Sequence, residues 1–217
     1  MSSYRAVIFD MDGTIVDNMR FHSEAWATVA RKLGSTLTPE QFERDFAGKK
    51  NEELVPLLSA QPLSAEEVAR VSEEKELLYR AAYGPHLAPL AGFRELVASL
   101  RAQGMKLLVA TAAPRANRDF VFEGLGLHSV FEGVVGAEDA ARGKPFPDIF
   151  LRASELAGVP PGECLVFEDA VNGVLAARAA GMDVVAVLTT TPAELLAAAG
   201  ARWTVTDYRT IPAEVFR

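Results

Sequence analysis

Two aspartates, Asp10 and Asp12, close the apolar run Ala6-Val7-Ile8-Phe9 and are followed by Gly13 and Thr14. The run is β-branched and aromatic, too short for a helix, and stops abruptly at the acids, which predicts a buried strand emptying into a loop. Burial on both faces fits a central strand of a parallel sheet. In extended backbone the side chains at i and i+2 point to one side, so both aspartates can reach a pocket beyond the strand. Carboxylates so placed repel each other unless a metal ion or a cationic side chain sits beside them. Gly13 lets the backbone turn sharply. An isolated D-x-D-G is equally well an ordinary polar turn, because Asp and Gly are common turn residues.

Three further stretches carry groups of the same chemical kind. Thr111-Ala112-Ala113 ends an apolar run and precedes Pro114, a helix-start signal. A hydroxyl and free N–H groups at a helix N-terminus make a phosphate cradle, although a threonine there also serves as a plain cap. Gly143-Lys144-Pro145-Phe146-Pro147-Asp148 sets a lysine among residues that restrict the backbone, so its ammonium is held on a defined loop. Glu168 and Asp169 follow the apolar run Cys164 to Phe167; they are either a helix cap or oxygen ligands for a cation such as Mg²⁺.

The elements that must position these groups are legible from periodicity. Phe21, Ala25, Trp26, Val29, Ala30 and Leu33 follow helical spacing up to Gly34. Thr38-Pro39 marks a helix start, and Ser64 with Glu67 is a capping box opening a helix to about Tyr83. No strand is predicted from Met19 to Tyr83. Beyond the proline-rich return at 84–90, strands and helices alternate: helix 92–103, strand 106–111, helix 115–125, strand 134–135, helix 147–157, strand 164–167, helix 171–180, strand 184–188, helix 191–199 and an edge strand at 203–205. That alternation predicts an α/β fold, a Rossmann-like three-layer parallel-sheet core with an inserted all-helical cap domain. Residues 1–17 and 86–217 form the expected catalytic core and 18–85 the cap. Ligands in such sheets bind beyond the carboxyl ends of the strands, and Asp10, Thr111 and Glu168-Asp169 each fall at such an end.

The chain has 217 residues, 49% of them hydrophobic and 24% charged, and a net charge of −7. These values describe a folded globular chain and argue against a nucleic-acid backbone or an anionic membrane as the main partner. No apolar stretch approaches the roughly twenty residues that span a bilayer, and no secretory h-region precedes the first strand. A cytoplasmic location is therefore expected, and the acidic surface permits a monomer. Cys164 is the only cysteine, expected to be a buried inert thiol.

Taken in order, D-M-D-G-T, the strand-end Thr111, G-K-P-F-P-D and F-E-D-A-V-N-G resemble the four motifs of the haloacid dehalogenase superfamily over essentially the whole chain. The helical insert resembles the cap of its beta-phosphoglucomutase-like branch. The resemblance implies a Mg²⁺-dependent phosphatase of a small phosphorylated metabolite, a sugar phosphate foremost. Asp10 would be the nucleophile, Asp12 the general acid and base, and Lys144 the charge-neutralising ammonium. Thr111 and Ala112 would hold the phosphoryl group, and Asp10, Asp12, Glu168 and Asp169 the metal. His22 and Lys75 fall where the mutase has a cap-side histidine and lysine, so both are candidate substrate contacts. The mutase arginine that binds a second phosphate aligns with Asn51, with Lys49 or Lys50 as substitutes that lack its bidentate fork. A beta-phosphoglucomutase is the alternative activity. A dehalogenase is disfavoured by Asp12, and a phosphorylatable receiver module by the helical insert.

Overall fold

The apolar run before Asp10 forms strand β1 (Ala6–Phe9), every residue of it buried. Alternation divides it between two cores: Val7 and Phe9 enter one hydrophobic cluster, Ala6 and Ile8 another on the opposite face. The computed structural model describes residues 4–38, 41–42 and 50–216. Its strands β2 (Lys106–Ala110), β3 (Gly133–Val135), β4 (Cys164–Glu168), β5 (Asp183–Val187) and β6 (Trp203–Val205) join β1 in one sheet. The order is β3-β2-β1-β4-β5-β6, and every pairing is parallel.

In this order the chain progresses outward from β1 in one direction and from β4 in the other. A crevice opens beyond the carboxyl ends of strands at such a switch point. Phe9 and Phe167 are in register across it, and their rings stack with centroids 5.0 Å apart, a contact worth about 0.5–1.5 kcal/mol beyond area burial. The Asp10 N–H continues the ladder to the Phe167 carbonyl at 3.0 Å, which fixes the backbone of Asp10 one residue past the strand.

Helices α4 (Phe93–Ala102) and α5 (Arg115–Leu125) cover the Val7 and Phe9 face through Phe93, Val97, Leu100, Val121 and Phe122. Helices α6 (Asp148–Ala157), α7 (Val171–Ala179) and α8 (Ala193–Ala198) cover the other through Ile149, Phe150, Ala153, Val174 and Leu196. The result is the expected three layers.

Between β1 and β2 lie α1 (Met19–Lys32), α2 (Asn51–Leu54) and α3 (Ala65–Tyr83), with no strand among the described residues from Met19 to Tyr83. They share a third cluster built on Trp26, Val29, Leu54, Val55 and Val71, to which the core lends Ala170. The capping box is present: Ser64 Oγ accepts the Glu67 N–H at 3.3 Å, and Glu67 accepts the Ser64 N–H at 2.8 Å. Thr38 Oγ1 accepts the Gln41 N–H at 3.2 Å; the Pro39 of that predicted helix start lies outside the described residues. Cys164 is buried, and burial pushes its thiol up to about 11. Among the described residues no helix is long and apolar enough to cross a membrane.

Candidate active site

At the switch point the four predicted stretches converge on one cavity, lined by Asp10, Asp12, Thr111, Lys144, Glu168 and Asp169 on the core side. Lys144, delivered by the loop before α6, donates to Asp10 Oδ1 at 2.7 Å and to Glu168 Oε1. Glu168 Oε2 accepts the Asp169 and Ala170 N–H groups at 2.8 and 2.9 Å. Glu168, expected among the metal ligands, is thus engaged on both oxygens and anchors the lysine. Thr111 still pairs backbone to backbone with Val135, and its Oγ1 accepts the Ala113 N–H at 3.1 Å. Ala112 lines the cavity beside it.

Charge in this site is unbalanced. Burial pushes the Asp10 carboxyl up to about 8; the Glu168 and Asp12 charges add to the rise, while Lys144 opposes it. Asp169 is raised well above the carboxylate range by burial and by Glu168 and Asp10, only partly offset by Thr190 and Lys144. The attraction of Asp10 and Glu168 outweighs burial at Lys144 and holds it protonated. Asp169 Oδ1 accepts from Thr14 at 3.3 Å, whereas its buried Oδ2 has no hydrogen-bond partner among the described residues.

These features fit a divalent cation. Buried carboxylates in excess of ammonium groups, one with an orphan hard oxygen, are what Mg²⁺ would satisfy, since it takes one or two carboxylates together with phosphate and water. Among the described residues no three acidic, His or Cys side chains already surround a common point. Asp10 and Asp169 are the carboxylates that would hold the ion.

Gly13 explains how Asp169 fits. Its φ is +77°, and a Cβ there would lie 2.0 Å from Asp169 Oδ2. Gly13→Ala is therefore expected to lose about 1–2 kcal/mol from left-handed backbone alone, read as a lower urea midpoint, together with activity as the carboxylate is displaced. A wild-type midpoint in this variant would contradict the packing described.

Asp12 faces the cap. Asn18 Nδ2 donates to Asp12 Oδ1 at 2.6 Å and to Tyr79 at 2.7 Å, while Asn18 Oδ1 accepts the Gly13 N–H at 3.1 Å. His22 stacks on Tyr79 with ring centroids 3.7 Å apart. Lys75 Nζ lies 2.7 Å from His22 Nδ1, and His22 Nε2 lies 3.6 Å from Asp12 Oδ1. Lys75 is buried and also donates to Glu76 at 2.9 Å. Asn51 lines the cavity and donates to Glu76 Oε1 at 2.7 Å. Lys50 instead donates to the Ala137 and Ala140 carbonyls at 2.6 and 2.8 Å, tying the cap to the core. Lys49 lies outside the described residues.

Three site residues escaped the sequence reading: Asn18, Glu76 and Asn117. Asn18 precedes α1 as an N-cap would, yet its side chain makes no cap bond and serves Asp12. Glu76 sits at i−3 and i−7 from the buried Tyr79 and Tyr83, and a carboxylate on the apolar face of a helix is the signal that marks it. Asn117, on α5, donates to Glu76 Oε2 at 2.6 Å and accepts from Arg80 at 2.8 Å, bridging cap and core. The cavity offers only about 70 Å³, against roughly 300–1,000 Å³ in ordinary ligand pockets.

A profile of the haloacid dehalogenase-like hydrolases matches residues 4–181. A phosphorylated carbohydrates phosphatase of Thermotoga maritima is 32% identical over 186 residues, covering 82% of each chain. Beta-phosphoglucomutase of Bacillus subtilis is 31% identical over 191 residues, 84% of this chain and 83% of the mutase. Among solved structures, beta-phosphoglucomutase from Clostridium difficile superposes with a TM-score of 0.83 at 26% identity, covering 97% of this chain and 94% of its own.

Proposed function

The chain belongs to the haloacid dehalogenase-like hydrolases, and on that premise we propose that it is a Mg²⁺-dependent phosphatase of small phosphorylated metabolites, sugar phosphates foremost. The carrying observation is the Lys144 ammonium held between Asp10 and Glu168 beside an unpartnered Asp169 oxygen. In this reading residues 18–85 act as a cap domain on a core of 1–17 and 86–217. Asp10 attacks phosphorus in line, the bond to the leaving oxygen breaks, and Asp12 gives that oxygen its proton. Water then attacks phosphorus, yields a proton to Asp12, and the Asp10 carboxylate is released with inorganic phosphate. Lys144, the Thr111 hydroxyl and the Ala112 N–H stabilise the equatorial oxygens. Asp10, Asp169 and the Asp12 carbonyl would hold Mg²⁺, which when bound would supply further charge neutralisation there. Closure of the cap over the substrate would exclude bulk water.

A beta-phosphoglucomutase is the second reading, favoured by His22 and Lys75 meeting beside Asp12. In that case a sugar hydroxyl, not water, would attack the phosphoenzyme. The discriminating experiment incubates the protein with Mg²⁺, beta-glucose 1-phosphate and a trace of glucose 1,6-bisphosphate, and reads free phosphate and glucose 6-phosphate together. Phosphate release that EDTA abolishes and excess Mg²⁺ restores is expected. Glucose 6-phosphate without phosphate release would overturn the phosphatase assignment, and release unaffected by EDTA would overturn the metal.

A further inference from the structure

Resting on the phosphatase reading, we infer that Glu76 is a specificity-determining residue: its buried carboxylate makes the cap end of the cavity a subsite for neutral hydroxyl groups and rejects a second phosphate. Glu76 is 3% exposed and lines the same cavity as Asp10. It is held in place from three sides, by Lys75 at 2.9 Å, Asn51 at 2.7 Å and Asn117 at 2.6 Å. It remains ionised: burial pushes its carboxyl up, but Lys75, His22, Asn51 and Asn117 outweigh burial and bring it down to about 2.

Among the described residues, the charges at this end leave nothing for a second anion. Lys75, the lysine lining the cap side among the described residues, is already paired with Glu76, and burial lowers its pKa against the pull of that carboxylate. Arg80 is committed to Asn117 and Glu73, and Lys50 to two core carbonyls. A phosphate arriving there would face a fixed carboxylate and no free cation among the described residues, and such like-charge contacts discriminate strongly. Hydroxyl groups fare differently. They can donate to Glu76 and accept from the amides of Asn51 and Asn117, while Trp26 and Phe42 on the same wall cover the apolar faces of a carbon skeleton. The subsite thus fits a polyhydroxylated monophosphate.

Binding in an Asp10→Asn background, measured by titration calorimetry with Mg²⁺, isolates this subsite from turnover. The probes are fructose 1-phosphate and fructose 1,6-bisphosphate. The monophosphate is expected to bind on the order of tenfold or more tightly than the bisphosphate. Adding Glu76→Gln should shrink that ratio on the order of tenfold, through tighter bisphosphate binding. Asn51→Arg, which replaces one of the amides on Glu76 with a cation that offsets its charge, should shift it the same way and serves if Glu76→Gln does not fold. A ratio unmoved by either folded variant, or a bisphosphate preference with Glu76 intact, would overturn the inference. Phosphate release by the unmutated enzyme tests the phosphatase reading separately, so either idea can fail while the other stands.

Discussion

Asp10→Asn is expected to lower phosphate release on the order of 10⁴-fold or more, because a carboxamide cannot take the phosphoryl group and no neighbouring group substitutes for it. The protein should nevertheless stay folded. Asp10 belongs to a cluster with excess negative charge, and the same Glu168 and Asp12 charges that raise its pKa are relieved when it becomes neutral. Lys144 keeps its second partner, Glu168. A thermal midpoint close to wild type alongside abolished turnover is thus the expected pair of results. Substantial residual release would place the nucleophile elsewhere.

Lys144→Ala should fail on both counts. Lys144 is 3% exposed and links Asp10 to Glu168. Removing it leaves two buried carboxylates without their ammonium, a change that costs about 3–5 kcal/mol where one member of a buried pair is deleted. Turnover should fall by about 10²–10³-fold, the usual loss when one donor to the transition-state oxygens is removed. Urea unfolding and phosphate release measured on one preparation check both. A variant as stable as wild type would show that the buried pair contributes less than its geometry implies. The contrast with Asp10→Asn is diagnostic, since one substitution removes surplus charge and the other removes the charge that balances it.

Much of this site was legible in the sequence because the backbone does the positioning. A short apolar run ending in acids can only be a buried strand with a polar exit, and β1 and β4 are adjacent and in register, so their exits must meet. The prolines beside Lys144 leave its loop little freedom, but its place at the site was read from the resemblance of G-K-P-F-P-D to a family motif. The cap contacts were harder to read. His22 and Lys75 were drawn from resemblance, and their meeting depends on how α1 and α3 pack, which periodicity does not specify. Asn18 was hidden because an asparagine before a helix reads as a cap. Glu76 was hidden because glutamate next to lysine on a long helix reads as solvated surface, and only the tyrosines one and two turns later betray its face. Lys50 shows the converse: a lysine near an expected substrate position is captured by main-chain carbonyls across the domain boundary.

The most direct test of the account is the mass of the protein, acid-quenched during turnover of a phosphomonoester with Mg²⁺, followed by mapping of any adduct. A phosphoryl group on Asp10 that disappears as substrate is exhausted, and is absent from Asp10→Asn, is the predicted result. A phosphoryl group on any other residue, or phosphate release that persists in Asp10→Asn, would contradict it.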